Sequence, residues 1–590
     1  MISHIVSHFK DGLVYRGEAN ELNTSQSLAA LVVTICCVGP TFAQEDISPL
    51  LEVGHIKRQI DDVFPTLVDR AKRDDSPITL PSMPQGILQS AKPEPGTPTL
   101  FLRTWEFSGN DLFDDATLRG VLSSVTGRDL SMTQLYAAVQ AIEAHYAEAG
   151  YVAQATLPLQ EVVNGTVRIE IVEAKYGGVE FEGDLPTRVR PETIRDLFDT
   201  HVPMGAPLQP AEFDLPNLLV NDLPGVAVTG AFAPGREPGE TILLLDTVES
   251  PLVFGQILMD NRGSRATGAE RAVAQFGLNS PLGYGDLFRA DITKSEGSAS
   301  VSGNYSIPIG AKGSRLTING SRLGYDVVTP EMLLLDLSGG SLTRGLSVNM
   351  PLRRSREQNV NFKMSHSVAD LEYSFRGVVV SDYRVRQSSI GLSGNWRDEY
   401  AGGALTRFGL SLAGGSASGA GSSGAFDDGF DVLRLNLERE QYLTDETSLF
   451  VGFSGQYGSR GLDSSEQFSL GGPSGVRAYP VGEAGGPSGA ILNLEVRHRL
   501  TPQWRLTGFY DHGAVSDRDT PNEPSSYQLK GLGATLSWVG SDGWGADLTW
   551  AHRIGSNPNP IIDVNRGTFG NDQDGSLDEN RLWFAVRKTF

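Results

Sequence analysis

Thiols are almost missing from this 590-residue chain: its two cysteines, Cys36 and Cys37, stand side by side near the N-terminus. They fall inside the apolar block Ser27 to Gly39, followed by Pro40 and the small-residue site Thr41-Phe42-Ala43, the layout of a secretory leader cut near Gln44. A mature chain without thiols suits an oxidising compartment and offers no cysteine-based metal or redox site. Also missing is any run of roughly 18 apolar residues, which excludes helical membrane spans. Positive charge is scarce: the formal net charge is -22 and no basic run is interleaved with aromatics, so nucleic acid is not an expected partner. G-x-x-x-x-G-K-[ST], H-E-x-x-H and G-x-S-x-G are all absent, which removes the usual nucleotide, zinc and acyl-transfer sites. No catalytic residue, metal or cofactor is expected, and the chain is not read as an enzyme. Asn571-Asp572-Gln573-Asp574-Gly575 hints at a calcium loop, but Arg581 stands where that loop needs Glu.

What is present divides along the chain. The leader's charged flank is weak, because Lys10 and Arg16 are offset by Asp11, Glu18 and Glu21, so residues 1–44 are expected to be an extended N-terminus plus signal peptide. In 45–75 the apolar positions Ile47, Leu50, Leu51, Ile60, Val63, Phe64, Leu67, Val68 and Ala71 recur at helical spacing, divided by Pro65. Residues 76–98 carry Pro77, Pro81, Pro84, Pro93, Pro95 and Pro98, which forbid packed elements and predict an extended linker.

Residues 99–174 alternate compactly. A strand is predicted at Leu102 to Phe107, helices at Asp114 to Ser124 and Ser131 to Ala149, and a hairpin from Ala153 to Val162 and Val167 to Val172, turning on Asn164-Gly165. The same order returns in 175–249, with a strand at Val179 to Phe181, helices at Pro191 to Asp199 and Pro210 to Asp222, and strands at Val226 to Phe232 and Thr241 to Asp246. Two copies of one small α/β module are the economical reading.

From 250 to 590 the period changes to two. Leu492, Leu494, Val496 and Leu500 take one face while Asn493, Glu495, Arg497 and Arg499 take the other; Trp544, Ala546, Leu548 and Trp550 oppose Gly545, Asp547 and Thr549 likewise. Roughly sixteen such strands are predicted, and their connections are expected to alternate strictly between short turns and long loops, the pattern of a transmembrane β-barrel threaded from the periplasm. The last strand sets Leu582, Phe584, Val586 and Phe590 on one face and ends on an aromatic.

One long connection departs from the polar character of the others: Gly471-Gly472-Pro473-Ser474-Gly475-Val476-Arg477-Ala478-Tyr479-Pro480. An arginine between apolar neighbours on a Gly/Pro-stiffened hairpin is suited to docking. Two strands later, Arg505, Thr507 and Asp511 share the polar, lumen-facing parity. If the loop folds into the lumen, Arg477 reaches Asp511 as a bidentate pair; if not, Arg477 is an exposed loop residue and Asp511 one luminal charge among many.

Gly475-Val476-Arg477-Ala478-Tyr479, the Phe509-x-Asp511 element, five strands after the loop and two preceding modules together resemble the outer-membrane transporters of two-partner secretion. These are the TpsB or haemolysin secretion/activation (ShlB/FhaC/HecB) family. The resemblance implies a fold of about 16 antiparallel strands closed as a transmembrane β-barrel, preceded by two α/β POTRA domains in the periplasm of a Gram-negative cell. It also implies a plug-like helix in 45–75 with 76–98 as its tether, and a gating role for the loop. Leu218-Leu219-Val220-Asn221-Asp222-Leu223-Pro224-Gly225 resembles the second POTRA domain of the family. The implied partners are a secreted exoprotein with an N-terminal secretion domain, outer-membrane lipid, and the barrel-assembly machinery, which would read Phe584, Val586 and Phe590. The family's loop usually reads Val-Arg-Gly-Tyr, and Ala478 replaces that glycine; a positive φ there would make the Cβ costly and alter the turn. An insertase of the same superfamily and a passive porin are the alternatives.

Overall fold

The computed structural model describes Lys57 and residues 99–420, 429–459, 462–516, 524–563 and 568–590. Of the expected leader, N-terminal helix and linker, only Lys57, in helical conformation, falls among them; the rest of those expectations lie outside the described residues.

The first α/β unit contains β1 (Thr99–Leu102), β2 (Thr104–Ser108), α1 (Asp115–Val121), β3 (Arg128–Ser131), α2 (Met132–Glu148), β4 (Ala153–Thr156) and β5 (Thr166–Glu173). Its helix starts are written in the sequence. Asp114 caps α1 by accepting from the Thr117 N–H, and Ser131 with Gln134 forms a capping box on α2. The three-stranded sheet runs β2-β5-β4, and Trp105, Leu118, Ile142 and Ile169 meet in its core. Asn164 and Gly165 both adopt positive φ, 56° and 70°. The hairpin's first arm is nevertheless shorter than predicted, ending at Thr156: Pro158 cannot donate to the ladder, and Gln160 instead bonds the Arg168 backbone through its side-chain amide. The short β3, paired with β1, was not predicted, because Arg128 to Ser131 lacks alternation.

The second unit holds β6 (Lys175–Phe181), α3 (Pro191–His201), α4 (Asp214–Asn221), β7 (Val226–Pro234) and β8 (Glu240–Glu249), with sheet order β6-β8-β7. It has its own core around Tyr176, Phe198, Phe213, Val220 and Leu243.

Sixteen strands then close a barrel. They are β9 (Val253–Asp260), β10 (Arg271–Asn279), β11 (Leu287–Lys294), β12 (Ser298–Ile309), β13 (Ser314–Asp326), β14 (Leu337–Arg354), β15 (Gln358–Phe375), β16 (Val378–Asp398), β17 (Ala404–Ala420), β18 (Gly429–Tyr442) and β19 (Thr447–Gly458). After the short pair β20 (Phe468–Ser469) and β21 (Gly485–Gly486) come β22 (Ser488–Arg499), β23 (Trp504–Ser516), β24 (Tyr527–Val539) and β25 (Trp544–Arg553). Another short pair, β26 (Ile561–Asp563) and β27 (Thr568–Asn571), precedes the closing strand β28 (Asn580–Thr589). No helix among the described residues is long and apolar enough to cross a membrane; the apolar surface is carried by strands, where Met259, Leu346, Ile390, Leu437, Val496, Leu548 and Leu582 all point outward. Such an apolar belt is stable only against lipid.

Closure rests on the terminus. β28 pairs with β9 from Ala585↔Asp260 to Thr589↔Gln256, and Phe590 extends the seam by exchanging backbone bonds of 2.9 and 3.0 Å with Gly255. Phe584, Val586 and Phe590 lie on the outer face, and the Phe590 ring covers the space a Cβ at Gly255 would take.

The expected strict alternation of short and long connections does not hold. Two outer connections are tight: Ser295-Glu296-Gly297, and Arg376-Gly377, a two-residue turn with both φ positive, 48° and 73°. The second joins strands of 18 and 21 residues, so the strands themselves project beyond the membrane and replace a loop.

The second unit docks on three successive periplasmic turns. Leu223 fills the space above Gly285, Leu219 that above Gly313, Asp222 receives a bidentate pair from Arg354 at 2.8 and 3.1 Å, and Asp214 accepts from Arg356 at 2.8 Å.

Candidate functional site

Between β19 and β22 the chain leaves the wall and folds back into the lumen. Asp463 starts the descent by capping the turn Ser464–Glu466, and Glu466 ties it to the wall through Arg434 at 2.6 Å and Gln387 at 2.7 Å. The pair β20–β21 then pins the two limbs of the loop together. At its tip the Val476 N–H donates to the Leu470 carbonyl at 2.7 Å, a closure so tight that a Cβ at Gly475 would collide with that carbonyl. Gly475 is required there by contact, not by φ.

The loop's apolar side chains, Leu470, Val476, Ala478 and Tyr479, are buried against Ile491, Phe509, Leu529 and Ala551 of the wall. Wall glycines make the room. A Cβ at Gly513 would meet Val476 at 2.9 Å, and one at Gly531 would meet the Ala478 Cβ at 2.6 Å. Ala478 itself is not among the residues of positive φ, so the turn expected to suffer from its Cβ does not; the extra methyl is accommodated because Gly531 faces it without one.

Arg477 lies between Asp511 and Glu495. Asp511 is fully buried; its Oδ2 accepts from the Arg477 backbone N–H at 3.0 Å and from Nε at 2.9 Å, while Oδ1 accepts from Nη2 at 2.7 Å and from the Asn493 amide at 2.8 Å. Four donors match the roughly four lone-pair sites of a carboxylate. Nη1 donates to Glu495 at 2.8 Å, and the guanidinium lies 3.5 Å from the Phe509 ring centroid, a cation–π contact strengthened by desolvation. Burial opposes the arginine's charge, but the hydrogen bonds and charges of Asp511 and Glu495 outweigh it and hold its pKa above the usual arginine range.

The motif residues Gly475, Val476, Arg477, Ala478 and Tyr479 are thus brought to Phe509 and Asp511, whereas Phe584, Val586 and Phe590 lie apart on the outer face of the seam. Several participants were not foreseen. Trp583 Nε1 donates to the Arg477 carbonyl at 2.8 Å, tying the loop to the last strand; a tryptophan on the lumen-facing parity of β28 was a legible signal. Higher in the loop, buried Glu483 accepts from Asn557 at 2.8 Å and from the Gln573 N–H at 2.9 Å. Asn557 in turn bonds Asp572, which is held by Arg553 at 2.6 Å and Arg581 at 2.8 Å. The acidic segment Asn571 to Gly575 is therefore tied to arginines, and its chemistry here is loop-to-loop fastening. Tyr479 completes the layer, with Arg553 5.0 Å from its ring centroid.

Nothing in this arrangement resembles a nucleophile with its base; it is a polar lock closed by apolar packing. Residues 239–538, about half of the chain, match the family model described as haemolysin secretion/activation protein ShlB/FhaC/HecB, and residues 100–174 match the ShlB-type POTRA domain. The heme/hemopexin transporter protein HuxB of Haemophilus influenzae is 25% identical over 494 residues, covering 80% of this chain and 84% of HuxB. The outer membrane transporter CdiB of Dickeya dadantii is 22% identical over 422 residues, 69% of this chain and 74% of CdiB. The solved structure of CdiB from Escherichia coli superposes with a TM-score of 0.62 at 20% identity, covering 85% of this chain and 93% of that one, a likeness of fold.

Proposed function

Because this chain belongs to the haemolysin secretion/activation protein family, ShlB/FhaC/HecB, and is therefore an outer-membrane transporter of two-partner secretion, we propose that its lumen loop is the gate through which one exoprotein partner is exported. The observation that carries this reading is the burial of Arg477 on Asp511 inside the barrel. A charged tip placed in a protein interior and matched donor for donor is a state that must be broken for anything large to pass.

The segments 99–174, 175–249 and 250–590 act as two receiving domains and a conduit. An exposed sheet edge of a receiving domain pairs with the extended N-terminal secretion domain of the client by β-augmentation, which needs little sequence match. Client binding favours the state with the loop withdrawn, a population shift driven by differential affinity alone. The segment 45–75 occupies the resting pore as a plug. Folding of the client outside the cell draws the chain through, with no catalytic step in the transporter. Phe584, Val586 and Phe590 present the assembly machinery with an aromatic-ended strand, and the apolar belt takes up lipid.

The test is export of a co-expressed partner by an Arg477→Ala variant whose barrel still migrates as a heat-modifiable species. Export should fail while the barrel persists; normal export removes the gating role. Deleting 45–75 should raise single-channel conductance in planar bilayers, and an unchanged pore removes the plug.

A further inference from the structure

Two adjacent arginines at the periplasmic end of β14 face opposite sides of the wall, and a bulge just before them decides which faces which way. The β14–β15 register runs Pro351↔Asn361 and then Arg353↔Val360 and Arg354↔Asn359, so one residue is inserted between Pro351 and Arg353. Beyond a bulge the alternation of side chains is reset. Arg354 is thereby turned with Asn359 toward Asp222 of the docked second unit. Arg353 is turned outward with Val360, on the row that continues through Met364, an exposed apolar residue.

Outward at this level means the membrane boundary. Trp396 lies on the same face as exposed Ile390 and Leu392 and packs 5.8 Å from Phe408. Trp504, Trp538 and Trp544 stand at the same periplasmic ends of β23, β24 and β25. Such a belt marks the headgroup layer. At this rim an open cavity of about 490 Å³ is lined by Arg353, Gln358 and Trp396 of the lipid-facing rows and, around the strand ends, by Ser355, Glu357 and Arg397, the last on the lumen-facing parity beside Trp396. Arg354 and Arg356 are each bonded to an aspartate of the docked unit; among the described residues Arg353 and Arg397 meet no carboxylate, and both are exposed.

We propose that this cavity binds the headgroup of a glycerophospholipid in the periplasmic leaflet, with the phosphodiester held by Arg353 and Arg397. Guanidinium is the side chain best matched to phosphate oxygens. Glu357, on the same rim, suits the ammonium of an ethanolamine headgroup, and Trp396 offers its ring to the first carbons of the acyl chains. The charge pattern distinguishes a lipid from a bare anion: a phosphate ion has no use for Glu357 or Trp396.

The experiment is native mass spectrometry of the full-length, delipidated protein in detergent, titrated with phosphatidylethanolamine and separately with inorganic phosphate. One saturable lipid is expected, displaced only weakly by inorganic phosphate. The double variant Arg353→Gln, Arg397→Gln should bind it about thirtyfold more weakly, from the usual contribution of two basic residues at a membrane surface. The lysine pair, Arg353→Lys with Arg397→Lys, should recover most of the loss, and Arg376→Gln in the outer hairpin should change nothing. Heat-modifiability checks that each variant is folded. Unchanged lipid binding by the glutamine pair, or equal loss with Arg376→Gln, overturns the site; displacement by phosphate as readily as by lipid reassigns it to a free anion.

Discussion

The same pair of residues is used at two levels of this barrel. In the lumen Arg477 grips Asp511; at the periplasmic rim Arg354 grips Asp222, with bonds that differ little in length, 2.7 and 2.9 Å against 2.8 and 3.1 Å. Their surroundings differ far more. Asp511 has no exposed surface and Asp222 is 27% exposed at its side chain. Arg477 concentrates three donors on one carboxylate, adds Glu495 and lies on Phe509; Arg354 shares its donors among Asp222, Asn359 and the Ser355 carbonyl. Removing Arg477 strands Asp511 in protein, whereas removing Arg354 leaves Asp222, which water reaches; the two arginines are about equally buried, so the aspartates make the difference. One is suited to a lock, the other to a hinge.

The largest effect should follow from Asp511→Ala. It removes the acceptor of four hydrogen bonds and leaves Arg477 with Glu495 alone, a loss of about 3–5 kcal/mol for a buried pair broken on one side. Hydrogen–deuterium exchange across 470–484 should rise sharply while the docked second unit is unchanged. Protection equal to the parent's would show that packing, not the ion pair, holds the loop.

A second way to separate the two levels is pH. Burial, and then the nearby charge of Asp572, push the Glu483 carboxyl up to about 8 from its ordinary 4.5. With the loop withdrawn into water the group returns toward 4.5, so between those values the docked state holds more protons than the withdrawn one. Docking is therefore favoured most at the acidic end of this window and weakens as pH rises toward about 8. Pore opening in planar bilayers should increase over that range, and Glu483→Gln should flatten the response; an equally steep response in the variant would assign it to another group.

How legible these levels were in the sequence differs for physical reasons. The barrel is legible because a wall between lipid and water forces a period of two, as in Leu492 to Arg499, and in the first α/β unit Asn164-Gly165 marks the hairpin turn by residue type alone. The expected strict alternation fails at the tight Arg376-Gly377 turn because loop length stood in for sidedness, and long strands can supply the same reach. Arg477 and Asp511 could be paired by parity once the loop was placed inside. Trp583 was legible as a lumen-facing tryptophan, but its bond to the Arg477 carbonyl and the Glu483 contacts, made across 74 and 90 residues, were not. A backbone acceptor has no residue type, and contacts between two irregular loops follow no period.

Gly531 gives the third test, confined to the lock. Its missing Cβ makes room for the methyl of Ala478, so Gly531→Ala should cost about 1–3 kcal/mol of loop docking by overpacking. Adding Ala478→Gly should restore much of it, since the two sites touch and their effects need not add. Exchange in 470–484 reads both variants, and a double variant no better than Gly531→Ala would mean that the wall, rather than the loop, yields to the added methyl.

The smallest effect is expected at the hinge. Arg354→Gln keeps a hydrogen-bond donor near Asp222 and leaves the aspartate partly in water, so the loss should be about 1 kcal/mol. The Leu219 and Leu223 contacts above Gly313 and Gly285 remain to hold the unit in place. Exchange should rise in 214–225 and stay level in 470–484, and export of a co-expressed partner should fall by less than the loss produced by Asp511→Ala. If Arg354→Gln stops export as completely, burial is not what separates the two pairs. The rim contact would then have to be part of the gate, transmitting the position of the second unit to the loop through the wall between them.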